Sequence, residues 1–374
     1  MRSLFLNLTI IISCVFSNRA LALDVTYISQ TLNLTPYWHK SYAVARAAAK
    51  DLDINLTIIE GQGHHLLQAE VIEKLASSSV KPDLLIFHAY KQNAHEYLNL
   101  LEQAQIPFVT YSQFYNSSSL SEDEPVNTNQ SDYKYWLSEY HVENKQGAAL
   151  LVHRLIQQAK KIKNPQNKEL KLVAFSGDLI KESLERSQGV AEQVKREQGV
   201  VLVQDIVANW FADDAQNKFK ILYQRHKGID IVWSSSDSMA LGALAAAVEL
   251  GLQPNKDIFI GGFDWNSKAI SKIKEDQLTA SAGGQFYNIA WLLVQVYDHF
   301  NRQAPFSKSS RVNDKYSIID KNNLNKFEKL TDTDILPAIN FYCFTKTYTQ
   351  QNDYDFSMEN LLKQANRKKN QQCN

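Results

Sequence analysis

The 374-residue chain carries 40 basic and 40 acidic residues, a balance that gives no support for nucleic-acid binding, which usually shows a basic face. Thirteen glycines and eight prolines exclude a collagen-like or low-complexity chain. The length exceeds one ordinary hydrophobic core and predicts two lobes.

The chain opens with Arg2, an apolar run from Leu4 to Phe16, and Ala20-Leu21-Ala22. That order reads as a signal peptide over residues 1–22, cleaved before Leu23, and so predicts export to the periplasm. The run is shorter than the about 20 apolar residues of a membrane-spanning helix. A buried amino-terminal helix is the plainer alternative, and Cys14 leaves a lipoprotein anchor as another. Loss of Arg2 and Arg19 leaves 38 basic and 40 acidic residues, a net charge of −2. Cys343 and Cys373 remain. An oxidising compartment permits a disulfide between them, and two free thiols are the other outcome.

From there short apolar runs alternate with amphipathic stretches. Asp24–Ser29 reads as a strand. Tyr37–Leu52 reads as a helix, with Ala43, Ala47 and Ala48 at helical spacing. Leu56–Glu60 is a strand and Leu66–Ala76 a helix with Leu67, Val71 and Leu75 on one face. Asp83–His88 is apolar enough for burial on both sides. Asn93–Gln105 is a helix and Phe108–Ser112 a strand. This βαβ alternation predicts a parallel sheet with helices on both faces. The polar stretch Phe114–Tyr133 reads as a surface excursion where the chain leaves the first lobe. The alternation restarts with a helix at Asn144–Lys161. Strands follow at Leu170–Phe175, Val200–Val207, Ile229–Ser234, Ile258–Phe263 and Leu278–Ala282. Helices follow at Ile180–Gln198, Ala212–His226, Ser238–Leu250 and Phe286–Phe300. The fold class is therefore α/β, two doubly wound parallel-sheet lobes. Beyond Asn301 the pattern weakens to one strand at Tyr316–Ile319, an aromatic patch (Phe341, Tyr342, Phe344) and a Lys/Gln/Asn-rich end with the composition of a mobile tail.

In such sheets ligands bind outside the carboxyl ends of the strands, and four strand-to-helix turns stand out there. The first, Thr35-Pro36-Tyr37-Trp38-His39, puts two aromatics where they can stack on an apolar ring face; Trp38 as plain core is the alternative. The second runs from Phe175-Ser176-Gly177-Asp178 to Arg186. A guanidinium there can donate paired hydrogen bonds to hydroxyls or a carboxylate, although spacing alone favours an ordinary surface arginine. The third, Trp233 to Gly242, offers Ser236 as a contact and Asp237 as a helix cap. The fourth, Gly261-Gly262-Phe263-Asp264-Trp265, ends a strand in a carboxylate, which is either a hydroxyl acceptor or another cap. The sequence holds no H-E-x-x-H, G-x-S-x-G or G-x-x-x-x-G-K-[ST] pattern, so it offers no catalytic set, metal set or cofactor cradle.

Several stretches resemble the type I periplasmic solute-binding proteins of the ribose/galactose class. They are TLNLTPYWHKSYAVARAAAKDLDI, LLIFHA, NAHEYLNLLEQAQIPFVTYSQ, the G-x5-S-x2-R-x2-G run from Gly177 to Gly189, SSSDSMALGALAAAVELG and IGGFD. Together they cover nearly all of residues 24–300. The resemblance implies a three-stranded hinge and lobe closure on a sugar, with no enzyme activity. It assigns residues 23–113 plus about 286–308 to the first lobe. It gives 114–285 plus about 309–330 to the second and leaves 331–374 as an extension. It places ligand contacts at Tyr37, Trp38, Tyr90, Arg186, Trp210, Ser236, Asp237, Asp264 and Gln285. Ser112 or Gln113 is a further facing position. Ser236 departs from the Asn-Asp pair of many ribose-type members. The tyrosine-tryptophan pair and the Ser-x-Asp helix start are also similar to the periplasmic autoinducer-2 receptors, although Ser281–Gln285 lacks their arginine partner. The partners implied are a membrane ABC permease or a sensor protein, for a monomer that binds no nucleic acid.

Overall fold

The computed structural model describes residues 22–30, 35–62, 65–88, 94–111, 132–163, 169–306, 309–311, 316–366 and 373. The signal-peptide reading, Tyr90, Ser112 and Gln113 lie outside them.

The first lobe begins β1 (Leu23–Ser29), α1 (Pro36–Asp51), β2 (Ile54–Glu60), α2 (His65–Ser77), β3 (Leu84–His88), α3 (Ala94–Ala104), β4 (Phe108–Tyr111) and β5 (Trp136–His141). The second begins α4 (Asn144–Lys163), β6 (Leu170–Ser176), α5 (Lys181–Lys195), β7 (Val200–Val207), α6 (Ala212–Arg225) and β8 (Ile231–Ser234). It continues through α7 (Asp237–Glu249), β9 (Phe259–Phe263), α8 (Ser267–Lys274) and β10 (Ala280–Gly283). The chain then returns through a 3₁₀ turn at Gln285–Tyr287 to α9 (Asn288–Phe300), which packs on α1, and to β11 (Ser309–Arg311). It crosses back to β12 (Ser317–Asp320).

The first sheet has the order β11-β5-β4-β3-β1-β2 and the second β12-β10-β9-β8-β6-β7. The strands run parallel except β12, which is antiparallel to β10. Alternating side chains explain the double winding. Leu84 and Ile86 of β3 enter the core under α1 and α9, while Leu85 and Phe87 enter the one under α2 and α3. In the second lobe Val173 and Phe175 face α6 and α7, and Leu172 and Ala174 face α4 and α5.

Three elements differ from the sequence expectation. β5 belongs to the first sheet, paired with β4 and β11, so the first crossover lies at residues 142–143 rather than after Gln113. Its residues Ser138, Glu139 and His141 are buried polar groups that erase the apolar signature of an inner strand. β11 likewise joins the first sheet, not the second. Helix α8 was not expected; Asn266 caps it by accepting from the Lys268 N–H at 2.9 Å.

The extension is also ordered. After α10 (Leu324–Phe327) and the turn Glu328–Thr331, the chain crosses to the first lobe. It continues through 3₁₀ turns Thr333–Ala338 and Phe341–Phe344, α11 (Lys346–Thr349) and α12 (Met358–Ala365). Phe341, Phe344 and Phe356 surround Trp291 of α9, their ring centroids 5.7, 5.0 and 4.7 Å away. Cys343 and Cys373 are joined in a disulfide. The aromatic patch supplies the apolar area that orders residues 316–366; the Lys/Gln/Asn-rich end beyond them, Cys373 apart, lies outside the described residues.

Candidate functional site

The second lobe builds the floor of the cleft. Ser183 Oγ accepts from the N–H groups of Gly177 and Asp178 at 2.9 and 3.2 Å, closing the β6–α5 turn. A Cβ at Gly177 would lie 2.0 Å from the Trp210 ring, so glycine alone lets that indole cover the turn. One helical turn past Ser183, Arg186 is only 8 % exposed. Its Nη1 donates to the Ser235 carbonyl at 2.7 Å, and its Nε donates to Asn144 Oδ1 at 3.3 Å. The guanidinium lies over the Phe263 ring, 4.5 Å from its centroid, and the Tyr316 hydroxyl also donates to Asn144 Oδ1 at 3.0 Å. Burial works against the guanidinium charge, but the fields of Tyr316 and Asp264 outweigh it and its pKa lies above the ordinary value.

Asp264 directly follows β9, its carboxylate Oδ1 accepting from Gln285 Nε2 at 2.8 Å. Burial pushes its pKa up to about 6, against the opposing pull of Arg186, Lys40 and the Gln285 bond. Tyr37 brings its phenol from the first lobe to the same place. Burial raises its pKa, and Tyr316, Asp264 and Arg186 are the neighbours that act on it. The structure thus gathers Tyr37, Arg186, Asp264 and Gln285 at one point between the lobes. Arg186 is not the surface residue its spacing favours, and Asp264 is not a helix cap.

The remaining candidates divide. Trp38 packs edge-on against Tyr37, 5.2 Å between centroids, and half-buried near Tyr42. Trp210 covers Gly177 in a left-handed backbone conformation, φ 65°. Ser236 is the cap of α7, accepting from the Met239 N–H at 3.3 Å. Asp237 is therefore the first helical residue rather than the cap. Its fully buried carboxylate accepts from Ser281 Oγ at 2.9 and 3.0 Å and from the Asn266 N–H at 2.7 Å. Burial and then Asp264 raise its pKa well above the ordinary carboxylate value. That carboxylate ties α7 to β10 and to the turn before α8. A Cβ at Gly262 would meet the Asp237 Cα at 2.8 Å, which fixes glycine in β9.

The first lobe supplies a wall that the sequence left unmarked. His88, at the carboxyl end of β3, lies 4.5 Å from the Tyr111 ring, which stacks on Tyr140 at 5.1 Å. His88 Nδ1 is 3.7 Å from Glu182 Oε1 of the second lobe. Both ring nitrogens are buried without a hydrogen-bond partner among the described residues, and buried polar atoms of that kind call for one. Asn144 and Tyr316 flank two of the crossovers, and that placement was their only signal. The arrangement offers a fork of donors, a carboxylate, an amide and phenol rings, which suits a ring carrying several hydroxyls. The lobes are in contact across it.

The sequence profile of the periplasmic binding protein domain matches residues 25–300. A stretch of 77 residues is 39 % identical to the ribose import binding protein of Bacillus subtilis, covering 21 % of this chain and 24 % of that protein. The structure is similar to a periplasmic sugar-binding protein from Pseudomonas fluorescens, with a TM-score of 0.76 and 20 % identity over 90 % of this chain and 99 % of that one. It is also similar to an ABC transporter solute-binding protein from Actinobacillus succinogenes with bound D-allose, with a TM-score of 0.67 and 17 % identity over 82 % and 100 % of the two chains. By profile and by two doubly wound lobes with three crossovers between the sheets, the chain belongs to the type I periplasmic binding proteins.

Proposed function

We propose that this protein is a periplasmic capture protein for a sugar, held between the lobes and presented to an ABC permease without chemical change. The buried Arg186 beside Asp264 carries the reading, because a desolvated cation and carboxylate opening on a cleft suit a ligand that both donates and accepts. In this reading Tyr37 and Trp38 meet the apolar face of the ring, and Arg186, Asp264 and Gln285 its hydroxyls. Trp210 closes the rim, and Ser236 and Asp237 position the second-lobe turns. The ligand bridges the lobes only when they close, and so shifts the open–closed equilibrium. The mature chain is a monomer that begins at Leu23, and the sugar-binding relatives support the substrate class.

Isothermal titration against pentoses, hexoses and inositols tests this. One sugar binds the wild type. Arg186→Ala and Asp264→Ala each lose at least about 100-fold, the cost of about 3 kcal/mol for leaving a buried charged partner unpaired. Unchanged affinity in both variants refutes the site. A sensory role with a membrane kinase or cyclase is the second reading, favoured by the folded extension on the first lobe. A deletion strain loses growth on that sugar under transport and keeps it under sensing.

A further inference from the structure

His88 closes β3 with its imidazole turned toward the second lobe. Its backbone is fixed from α2, where Gln68 donates through Nε2 to the His88 carbonyl at 2.7 Å. Its ring packs against Tyr111, 4.5 Å between centroids, which leaves the ring edge and its two nitrogens for hydrogen bonds. Across the cleft stands Glu182 of α5, its Oε1 3.7 Å from His88 Nδ1 and so beyond hydrogen-bond reach. Glu182 precedes Arg186 by one helical turn, and residues four apart share a helix face. His88 therefore looks onto the face of α5 that carries the guanidinium. Another contact between the lobes is complete: Lys40 Nζ of α1 donates to the Trp265 carbonyl at 2.5 Å. His88 has no such counterpart among the described residues. It is 4 % exposed and both ring nitrogens are buried without a hydrogen-bond partner; Gln68, 1 % exposed, leaves its Oε1 in the same condition. Folded proteins rarely keep a buried polar atom unmet. Two such side chains adjoin at the carboxyl end of one strand, where a doubly wound sheet takes its ligand. That is a wall built for polar atoms from outside the chain.

We propose that His88 is a specificity-determining ligand contact on the first-lobe wall, hydrogen-bonded to one hydroxyl of the sugar that Arg186 and Asp264 hold from the second lobe. This deepens the proposed function and rests on it. A neutral imidazole carries one donor and one acceptor, and a hydroxyl can meet either. The Glu182 carboxylate close by disfavours an anionic group at that place. His88 thereby makes closure selective. Closing the lobes strips water from the imidazole, and a ligand hydroxyl replaces it. An analogue that lacks this one hydroxyl leaves the imidazole unmet and is rejected for that reason.

The test is isothermal titration of the whole protein with the pentoses, hexoses and inositols, D-ribose, L-arabinose, D-allose and myo-inositol among them, and then with each singly deoxygenated analogue of the sugar that binds. His88→Phe keeps a ring against Tyr111 and removes both nitrogens; His88→Ala replaces it if circular dichroism shows that the phenylalanine variant does not fold. In the wild type, loss of the contacted hydroxyl weakens binding about tenfold or more. In His88→Phe the parent sugar weakens by about that factor, and removal of the same hydroxyl then costs nothing further. The other deoxy analogues keep the penalties they show in the wild type. Parent affinity within about twofold of the wild type, on the scale of a hydrogen bond worth tenfold, overturns the contact. So does a loss that is equal for every deoxy analogue, since that is the mark of a structural role. A wild type that binds no member of the panel overturns the sugar reading, and this contact with it.

Discussion

Tyr316 shows how much of the site depends on residues without a motif. Its hydroxyl donates to Asn144 Oδ1 and lies 3.5 Å from Arg186 Nη2, so one phenol steadies both the guanidinium and its acceptor. Tyr316→Phe removes those contacts and keeps the ring, which packs edge-on against Phe263 at 5.6 Å. A net hydrogen bond is worth about 1 kcal/mol, so calorimetry is expected to show a fivefold to tenfold loss of ligand affinity. The Tm is expected to move by about 3 °C or less. A loss of affinity as large as that of Arg186→Ala would mean that Tyr316 touches the ligand itself. A glycine turn and a strand end made Arg186 and Asp264 candidates, but spacing alone favoured a surface arginine at the first and left a helix cap open at the second; only their burial and neighbours in the fold separate these readings. Tyr316, Asn144, Lys40 and His88 were not candidates, because each acts through a partner more than 40 residues away in sequence and no local spacing encodes that.

At the level of elements, the strands that were legible are those whose apolar run is unbroken, such as Leu84–His88, buried along its whole length. β5 was hidden because an inner strand is built here on Ser138, Glu139 and His141. The packing of residues 316–366 was not legible in the sequence because part of it depends on one distant carboxylate. Asp298 of α9 is fully buried and accepts from the Lys346 N–H at 2.7 Å, the Thr347 N–H at 3.0 Å, Thr347 Oγ1 at 2.7 Å and the Tyr354 hydroxyl at 3.1 Å. Asp298→Ala strands these donors at a cost of about 3 kcal/mol. Limited proteolysis is expected to cut the variant after Thr345 at a protease concentration that leaves the wild type intact, with the sheets of both lobes preserved. An equal cleavage rate in the two proteins would show that the aromatic cluster around Trp291 holds the extension unaided.

At the scale of the whole molecule, the chain joins the lobes through the three crossovers between the sheets and once more where the extension leaves Thr331 for α1. The disulfide closes 30 residues of that last segment, and the chain-entropy account of such a loop gives at most about 3.5 kcal/mol. Reduction with dithiothreitol is therefore expected to lower the Tm by several degrees and to leave sugar affinity within about twofold. A large loss of affinity on reduction would tie the extension to closure. Two lobes and a cleft followed from alternation and length alone, whereas the closed arrangement depends on contacts such as Lys40 with Trp265 and His88 with Glu182, which no single-lobe pattern contains. In the proposed function a sugar is held between the lobes by Arg186 and Asp264. The crystal structure of the complex with the sugar found by calorimetry tests it most directly. Ring hydroxyls are expected within about 3.2 Å of Arg186 and Asp264, the usual reach of a hydrogen bond, with the ring against Tyr37. A sugar seated outside the cleft, or in it without touching either charge, would contradict it.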